Sequence, residues 1–309
     1  MIDLSVDLAP RHKSGFILKN PVITASGTFG YGMEYGDMFD IERLGAVICK
    51  GVTLEPREGN PQPRLVETDL GLLNAVGLEN IGVEAVIRDK APCWAEWGVP
   101  VIVNIAGENE REYAEIAARL EGICGIAAVE VNISCPNVAS GGMEFGTSPK
   151  AAAAITAAVR DATTMPVIVK LSPNVTDITL IAAAVCDAGA DALTLINTVR
   201  GMAIDSGTGK PVLGNIIGGL SGPAIKPVAL YAVFRVSQVV NIPVIGCGGI
   251  MCAEDAIEFF QAGASAVQVG TATLSEPAAA LKVLDGIEAY LAQRDIKNLR
   301  SILGIAWKQ

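Results

Sequence analysis

Eight short runs of aliphatic and β-branched residues recur along the chain, with longer stretches of helical apolar spacing between them. The runs are Pro21–Ala25, Ala46–Lys50, Pro100–Ile105, Ala128–Ile133, Val167–Leu171, Ala192–Ile196, Pro243–Cys247 and Ala266–Val269. Ala-rich segments at Glu110–Leu120, Pro149–Ala162, Asp177–Ala188, Pro223–Val239 and Ala253–Ala262 separate most of them. Strands that alternate with helices pair in parallel, because each crossover returns the chain to the same end of the sheet. The runs are apolar throughout rather than alternating, as strands covered on both faces must be. Eight such units in 309 residues predict an α/β chain folded as one (β/α)8 TIM barrel over 1–309, with loop insertions over its C-terminal face. A doubly wound open sheet is the structural rival.

Local signals agree with this division. Ser148-Pro149 offers an N-cap followed by proline in the first helical turn. Ala188-Gly189-Ala190 and Ala262-Gly263-Ala264 read as helix ends closed by glycine. The longest insertion, Val52–Pro100, falls between the second and third runs; within and beside it, Gly51–Arg64 and Asp69–Leu78 read as loops.

Composition removes several functions. The net charge is −10 without a long basic run, which argues against a nucleic-acid partner. His12 is the only histidine, so a His-dependent triad or a multi-His metal site is not expected, and no metal is assigned. Seven cysteines without a CxxC pair suggest neither a disulfide framework nor zinc, and fit a reducing cytoplasm. The opening MIDLSVDLAP lacks the basic and apolar regions of a signal peptide, and no apolar run reaches the roughly 18 residues of a membrane span.

In such a barrel the chemistry lies at the C-terminal strand ends. Here these ends carry Ser26, Lys50-Gly51, Asn104, Asn132 with Ser134 and Cys135, Lys170, Asn197-Thr198, Gly248-Gly249 and Gly270-Thr271. The glycines after runs seven and eight sit where barrels hold phosphate on exposed backbone amides. They suggest a phosphorylated ligand such as FMN. A lysine buried at the rim needs an anionic partner, either a ligand or a carboxylate such as Glu130. Amides at Asn74, Asn132, Asn137 and Asn197 offer donors and acceptors together, as a polar heterocycle with an acid group would require.

At Asn132-Ile133-Ser134-Cys135-Pro136-Asn137 the sequence resembles the family 1 dihydroorotate dehydrogenases. Asn20–Gly27, Asn74–Asn80, Gly218–Ala224, Gly246–Ile250 and Val269–Thr271 carry the same resemblance. Within that family the chain is most similar to the 1B type, on the loop Val138–Thr147, on Lys170 and Ile196–Thr198, and on Pro223–Ala229. Lys210–Ile217 departs somewhat from the pattern.

The resemblance implies an enzyme that oxidises dihydroorotate to orotate in pyrimidine biosynthesis. FMN would be held by Ser26, Lys50, Gly51, Asn104, Asn132, Lys170, Ile196, Gly222, Gly248, Gly249, Gly270 and Thr271. The substrate would be held by Lys50, Asn74, Ala75, Val76, Gly77, Leu78, Asn132, Asn137, Asn197 and Thr198. Cys135 would be the catalytic base, removing the C5 proton while a hydride leaves C6. It also implies a homodimeric core within a heterotetramer, whose second subunit carries FAD and a [2Fe–2S] cluster and passes electrons to NAD+. The alternatives are the fumarate-using 1A homodimer, a related flavin-dependent dihydropyrimidine dehydrogenase and, from another class, a non-catalytic FMN-binding barrel.

Overall fold

A computed structural model describes residues 2–134, 136–137 and 143–308, without the side chains of 136, 137, 143 and 144. Eight parallel strands form its central sheet. They are β1 Val22–Thr24, β2 Val47–Ile48, β3 Val101–Ile105, β4 Ala128–Asn132, β5 Val167–Leu171, β6 Ala192–Leu195, β7 Val244–Cys247 and β8 Ala266–Val269. Each lies inside a predicted run, and their order is β1-β8-β7-β6-β5-β4-β3-β2. The seam between β1 and β2 is closed by a parallel bridge from Ile23 to Ala46 and by Gly45 N donating to Val22 O at 2.8 Å. That closure makes the sheet a barrel and removes the open doubly wound alternative.

Outside the strands run α1 Val83–Asp89, α2 Ala91–Trp94, α3 Glu110–Leu120, α4 Pro149–Ala162, α5 Ile178–Asp187, α6 Lys226–Val236, α7 Ala253–Ala262, α8 Ala272–Ser275 and α9 Ala279–Gln293. Polar N-caps start three of them. Asn109, Ser148 and Asp177 accept the otherwise unpaired N–H groups of Glu112, Ala151 and Thr179 at 3.0, 3.4 and 3.0 Å. Gly189 and Gly263 follow α5 and α7 at φ 101° and 120°, as the helix-end reading requires. The predicted helix Pro223–Val239 is instead a single 3-10 turn, Pro223–Ile225, followed by α6. Pro227 has no N–H to bond back to Pro223, so one continuous ladder cannot form there.

Two layers fill the barrel. At the floor, Ile23, Ile48, Ile102, Ala128, Ile168, Ala192, Ile245 and Ala266 form one buried cluster with Leu8, Phe16 and Leu18. The last three belong to an N-terminal hairpin, Val6–Asp7 paired with Ile17–Leu18, which plugs that end. Each Ile or Leu so buried contributes roughly 1.5–3 kcal/mol.

The opposite end is roofed by a second sheet. Val199–Gly201, Gly218–Ser221, Gly71–Asn74 and Leu65–Thr68 pair antiparallel in that order. The expectation that Asp69–Leu78 is all loop is therefore corrected: Gly71–Asn74 is a strand, joined to a segment far along the chain. Glycine permits the close approach here. A Cβ on Gly71 would lie 2.1 Å from Ser221 O, and one on Gly219 would lie 1.9 Å from Thr198 Oγ1.

Candidate active site

Side chains alternate across a strand with period two, so residues two positions above the floor layer also point into the barrel. These are Asn104 above Ile102, Glu130 above Ala128, Lys170 above Ile168, Thr194 above Ala192, Cys247 above Ile245 and Gln268 above Ala266. All six are buried. All six join in one hydrogen-bond network around Glu130. Asn104 Nδ2, Gln268 Nε2 and Thr194 Oγ1 donate to its carboxyl oxygens at 2.7, 2.6 and 2.8 Å. Lys170 Nζ donates to Gln268 Oε1 at 3.3 Å and to Ser26 Oγ at 3.4 Å, and lies 3.9 Å from Cys247 Sγ.

Between this layer and the roofing sheet lies a cavity of about 660 Å³. It brings together Ser26, Lys50, Gly51, Asn104, Asn132, Lys170, Ile196, Gly222, Gly248, Gly249, Gly270 and Thr271 from the predicted cofactor set. Asn74, Ala75, Val76, Gly77, Leu78, Asn197 and Thr198 from the predicted substrate set line it too. Cys135 and the hinge pair Gly141-Gly142 lie outside the described residues, as does the side chain of Asn137. Asn132 and Ser134, directly before Cys135, reach the cavity wall.

The amides are held in place rather than free. Asn197 Nδ2 donates to Asn132 Oδ1 at 3.1 Å, and Thr198 N donates to Asn197 Oδ1 at 2.9 Å. Asn74 Nδ2 donates to Gly219 O at 3.1 Å, which ties the insertion to the neighbouring strand of the roof. Leu78 holds a left-handed backbone at φ 56°, next to Gly77 at φ 77°. Asn80 secures that turn, its Nδ2 donating to Leu78 O at 2.7 Å. A leucine held there is a strained element of the kind found at ligand clamps.

Two wall features mark where ligand groups would fit. Asn104 Oδ1 and Ser134 Oγ are buried and have no hydrogen-bond partner among the described residues, although such groups are nearly always paired. Gly249, at φ 76°, could not carry a side chain, since its Cβ would lie 2.8 Å from Lys226 N. Bare backbone therefore forms the wall beside β7, near α6.

The charges are arranged around Lys170, which is 4% exposed. Burial works against its ammonium, but Cys247 once it is a thiolate, together with Glu130, outweighs burial and holds its pKa above the ordinary lysine value. Burial pushes the Cys247 thiol up despite Lys170, and pushes Cys49 beneath the site up to about 12. Both cysteines are thus thiols near neutral pH, which leaves Glu130 as the anionic neighbour of Lys170 there. Lys50 makes no ion pair among the described residues; its Nζ lies 5.9 Å from the centre of the Tyr31 ring. Burial pushes the Tyr31 phenol up to about 12, so that ring stays neutral.

Several residues of the site were not singled out from sequence. Asn174 Nδ2 donates to Ser172 Oγ and Thr198 O, both at 3.2 Å, and its Oδ1 accepts from Arg200 N at 2.9 Å. Ser221 Oγ accepts from Thr271 Oγ1 at 2.9 Å. Thr194 and Gln268 lie mid-strand, where their only signal was a polar residue in a buried apolar run. A direct salt bridge from a rim lysine to Glu130 was the alternative to a ligand. Glu130 instead reaches Lys170 through Gln268.

A profile of the family described as dihydroorotate dehydrogenase matches residues 12–291. The chain is 54% identical over 302 residues to the dihydroorotate dehydrogenase B (NAD(+)) catalytic subunit of Geobacter sp. (strain M21), covering 98% of this chain and 97% of that one. It is 55% identical over 302 residues to the protein of the same name from Pelobacter propionicus, covering 98% of each. With its counterpart from Desulforudis audaxviator it shares 57% identity over 293 residues, 95% of each chain. Barrel, strand-end residues and full-length similarity agree: the chain belongs to the dihydroorotate dehydrogenase family.

Proposed function

We propose that the chain is the catalytic subunit of an NAD-linked dihydroorotate dehydrogenase of the 1B type. It oxidises (S)-dihydroorotate to orotate in pyrimidine biosynthesis, with FMN bound in the barrel mouth. The observation that carries this reading is the convergence of the strand-end residues on one cavity whose walls suit that cofactor. The buried, unpaired Asn104 Oδ1 asks for a hydrogen-bond donor, and the buried Lys170 favours a group that becomes anionic on reduction. The glycine walls after β7 and β8 suit a phosphate.

When bound, FMN supplies the two-electron acceptor for the hydride from C6. The chain's residues do the rest. Lys50, near the mouth and without an ion pair among the described residues, holds the substrate carboxylate. The Asn132–Asn197 pair and Asn74 orient the ring through donors and acceptors that it matches. Cys135 follows Ser134 at the cavity wall and takes the C5 proton from the face opposite the hydride acceptor. A thiol with an ordinary pKa of about 8.5 has a usable thiolate fraction near neutrality. The roofing sheet limits water around the reacting carbons.

The partner is a subunit with FAD and [2Fe–2S] that relays electrons to NAD+, around a homodimer of this chain in a cytoplasmic heterotetramer. Among the described residues no helix is long and apolar enough to cross a membrane. The test is anaerobic addition of (S)-dihydroorotate to the FMN-loaded chain, followed by NAD+ and the partner. Bleaching of the flavin, with NAD+ reduced only when the partner is present, is expected. No bleaching overturns the reading, and fumarate turnover by the isolated chain replaces the 1B assignment with 1A.

A further inference from the structure

Glu130 takes no part in the mechanism above, yet it is fully buried at the centre of the barrel. The three groups hydrogen-bonded to it, Asn104 Nδ2, Gln268 Nε2 and Thr194 Oγ1, are all donors to its oxygens. Thr194 Oγ1 itself accepts from Gln268 Nε2 at 3.1 Å, which turns the threonine proton toward Glu130. As they are turned, all three donate to the carboxyl group and none accepts from it, so the pattern is that of a carboxylate.

A carboxylate in this place polarises both amides. Gln268 gives its N–H to Glu130 and its Oε1 to Lys170 Nζ at 3.3 Å. Turned over, that amide would set its oxygen against the carboxylate and its N–H against the ammonium. Asn104 is turned in the same way. Its N–H points to Glu130, and its buried oxygen has no hydrogen-bond partner among the described residues, on a side chain that lines the cavity.

We propose that Glu130 is a positioning residue that sets the polarity of the flavin site, turning Asn104 so that it presents a carbonyl oxygen to the cavity and holding Lys170 as a cation through Gln268. The inference rests on the FMN reading. The ionisable groups facing this arrangement are Lys170 on β5, Cys247 at the end of β7, Cys49 after β2 and, at the mouth, Lys50. With both cysteines held as thiols by burial, Glu130 is the counter-charge of Lys170. A buried ammonium that loses its counter-charge gives up its proton.

Glu130→Gln keeps the shape, removes the charge and frees both amides to turn. In the FMN-loaded wild type, Lys170 stays charged and the midpoint potential of the flavin follows pH without a contribution from it. In E130Q, Lys170 is expected to be neutral beside oxidised flavin and to take a proton from solvent on reduction. Reduction then consumes one additional proton over the pH window between the Lys170 values beside oxidised and beside reduced flavin. FMN affinity should also fall about tenfold or more, since an oriented acceptor is lost.

E130Q/K170R should show no such window, because arginine keeps its charge. Gln268→Met cuts the link while leaving Glu130 in place; it should show the same window, and it carries the test if E130Q does not fold. Wild-type FMN affinity together with a wild-type potential-against-pH curve in either single variant overturns the proposal. A wild-type chain that binds no FMN overturns the flavin reading itself, and this inference with it.

Discussion

The floor and the mouth of the barrel are two residues apart on the same strands, and they are built from opposite chemistry. Ile102, Ala128, Ile168, Ala192 and Ala266 form the apolar floor. Asn104, Glu130, Lys170, Thr194 and Gln268 form the polar layer directly above it. The distance is only about 6.6 Å at the usual rise per strand residue. Both layers are buried, but for different ends. The floor is stabilised by removing hydrocarbon from water. The mouth layer buries ionic and amide groups at a cost that its mutual hydrogen bonds offset. Among the described residues it leaves one of its acceptors, Asn104 Oδ1, without a partner. A barrel of this kind concentrates stability at one end and reactivity at the other.

Variants at the two ends should therefore fail differently. The largest effect belongs to Cys135, the proposed base that follows Ser134 in the sequence. Cys135→Ala should slow flavin reduction by dihydroorotate about 10²–10⁴-fold in single-turnover stopped flow. FMN binding and unfolding midpoint should stay near wild type, and an unchanged reduction rate would remove Cys135 as the base. Ile168→Ala at the floor should do the reverse. It should cost about 2–5 kcal/mol in denaturant unfolding, while the folded protein still bleaches with substrate. A loss of reduction rate larger than its loss of stability would break the division between the two layers.

The smallest effect is at the rim outside the cavity, where Asp255 joins Lys226 on α6 to the turn after β7. Lys226 Nζ donates to Asp255 Oδ1 at 2.6 Å, and Met251 N donates to Oδ2 at 2.8 Å. Partial burial would raise the Asp255 pKa, but these partners outweigh it and hold it below the usual 3.8. A carboxyl whose pKa is lower in the folded state adds stability that is full above its unfolded value. That stability fades as pH falls through the folded value. Asp255→Asn should thus lower Tm slightly at pH 7 and converge on wild type once the pH has fallen below the folded-state value, as thermal melts across pH would show. An equal deficit at both pH values would assign the loss to packing instead of charge.

How far the sequence reached depends on the range of the interaction. All eight barrel strands and helices α3, α4 and α7 coincide with their predicted segments, because period and capping are properties of neighbouring residues. The roofing sheet was not legible. Gly71–Asn74 and Gly218–Ser221 are poor in β-branched and aromatic residues, so their strand character comes from each other. Glu130 was visible as a polar residue in an apolar run, but a run does not say which strands its carboxyl group will reach.

By itself, then, the sequence determined the barrel, the residues at its strand ends and, through the motif around Asn132 and Cys135, the family to which it is similar. These follow from local patterning, which each segment carries with it. Only the tertiary structure decided that Asn74 pairs with Gly219, that Gln268 stands between Lys170 and Glu130, and that Asn104 turns its N–H to Glu130. Such contacts join residues on different strands. Their geometry exists only once the sheet has closed and its inward side chains share one dry interior.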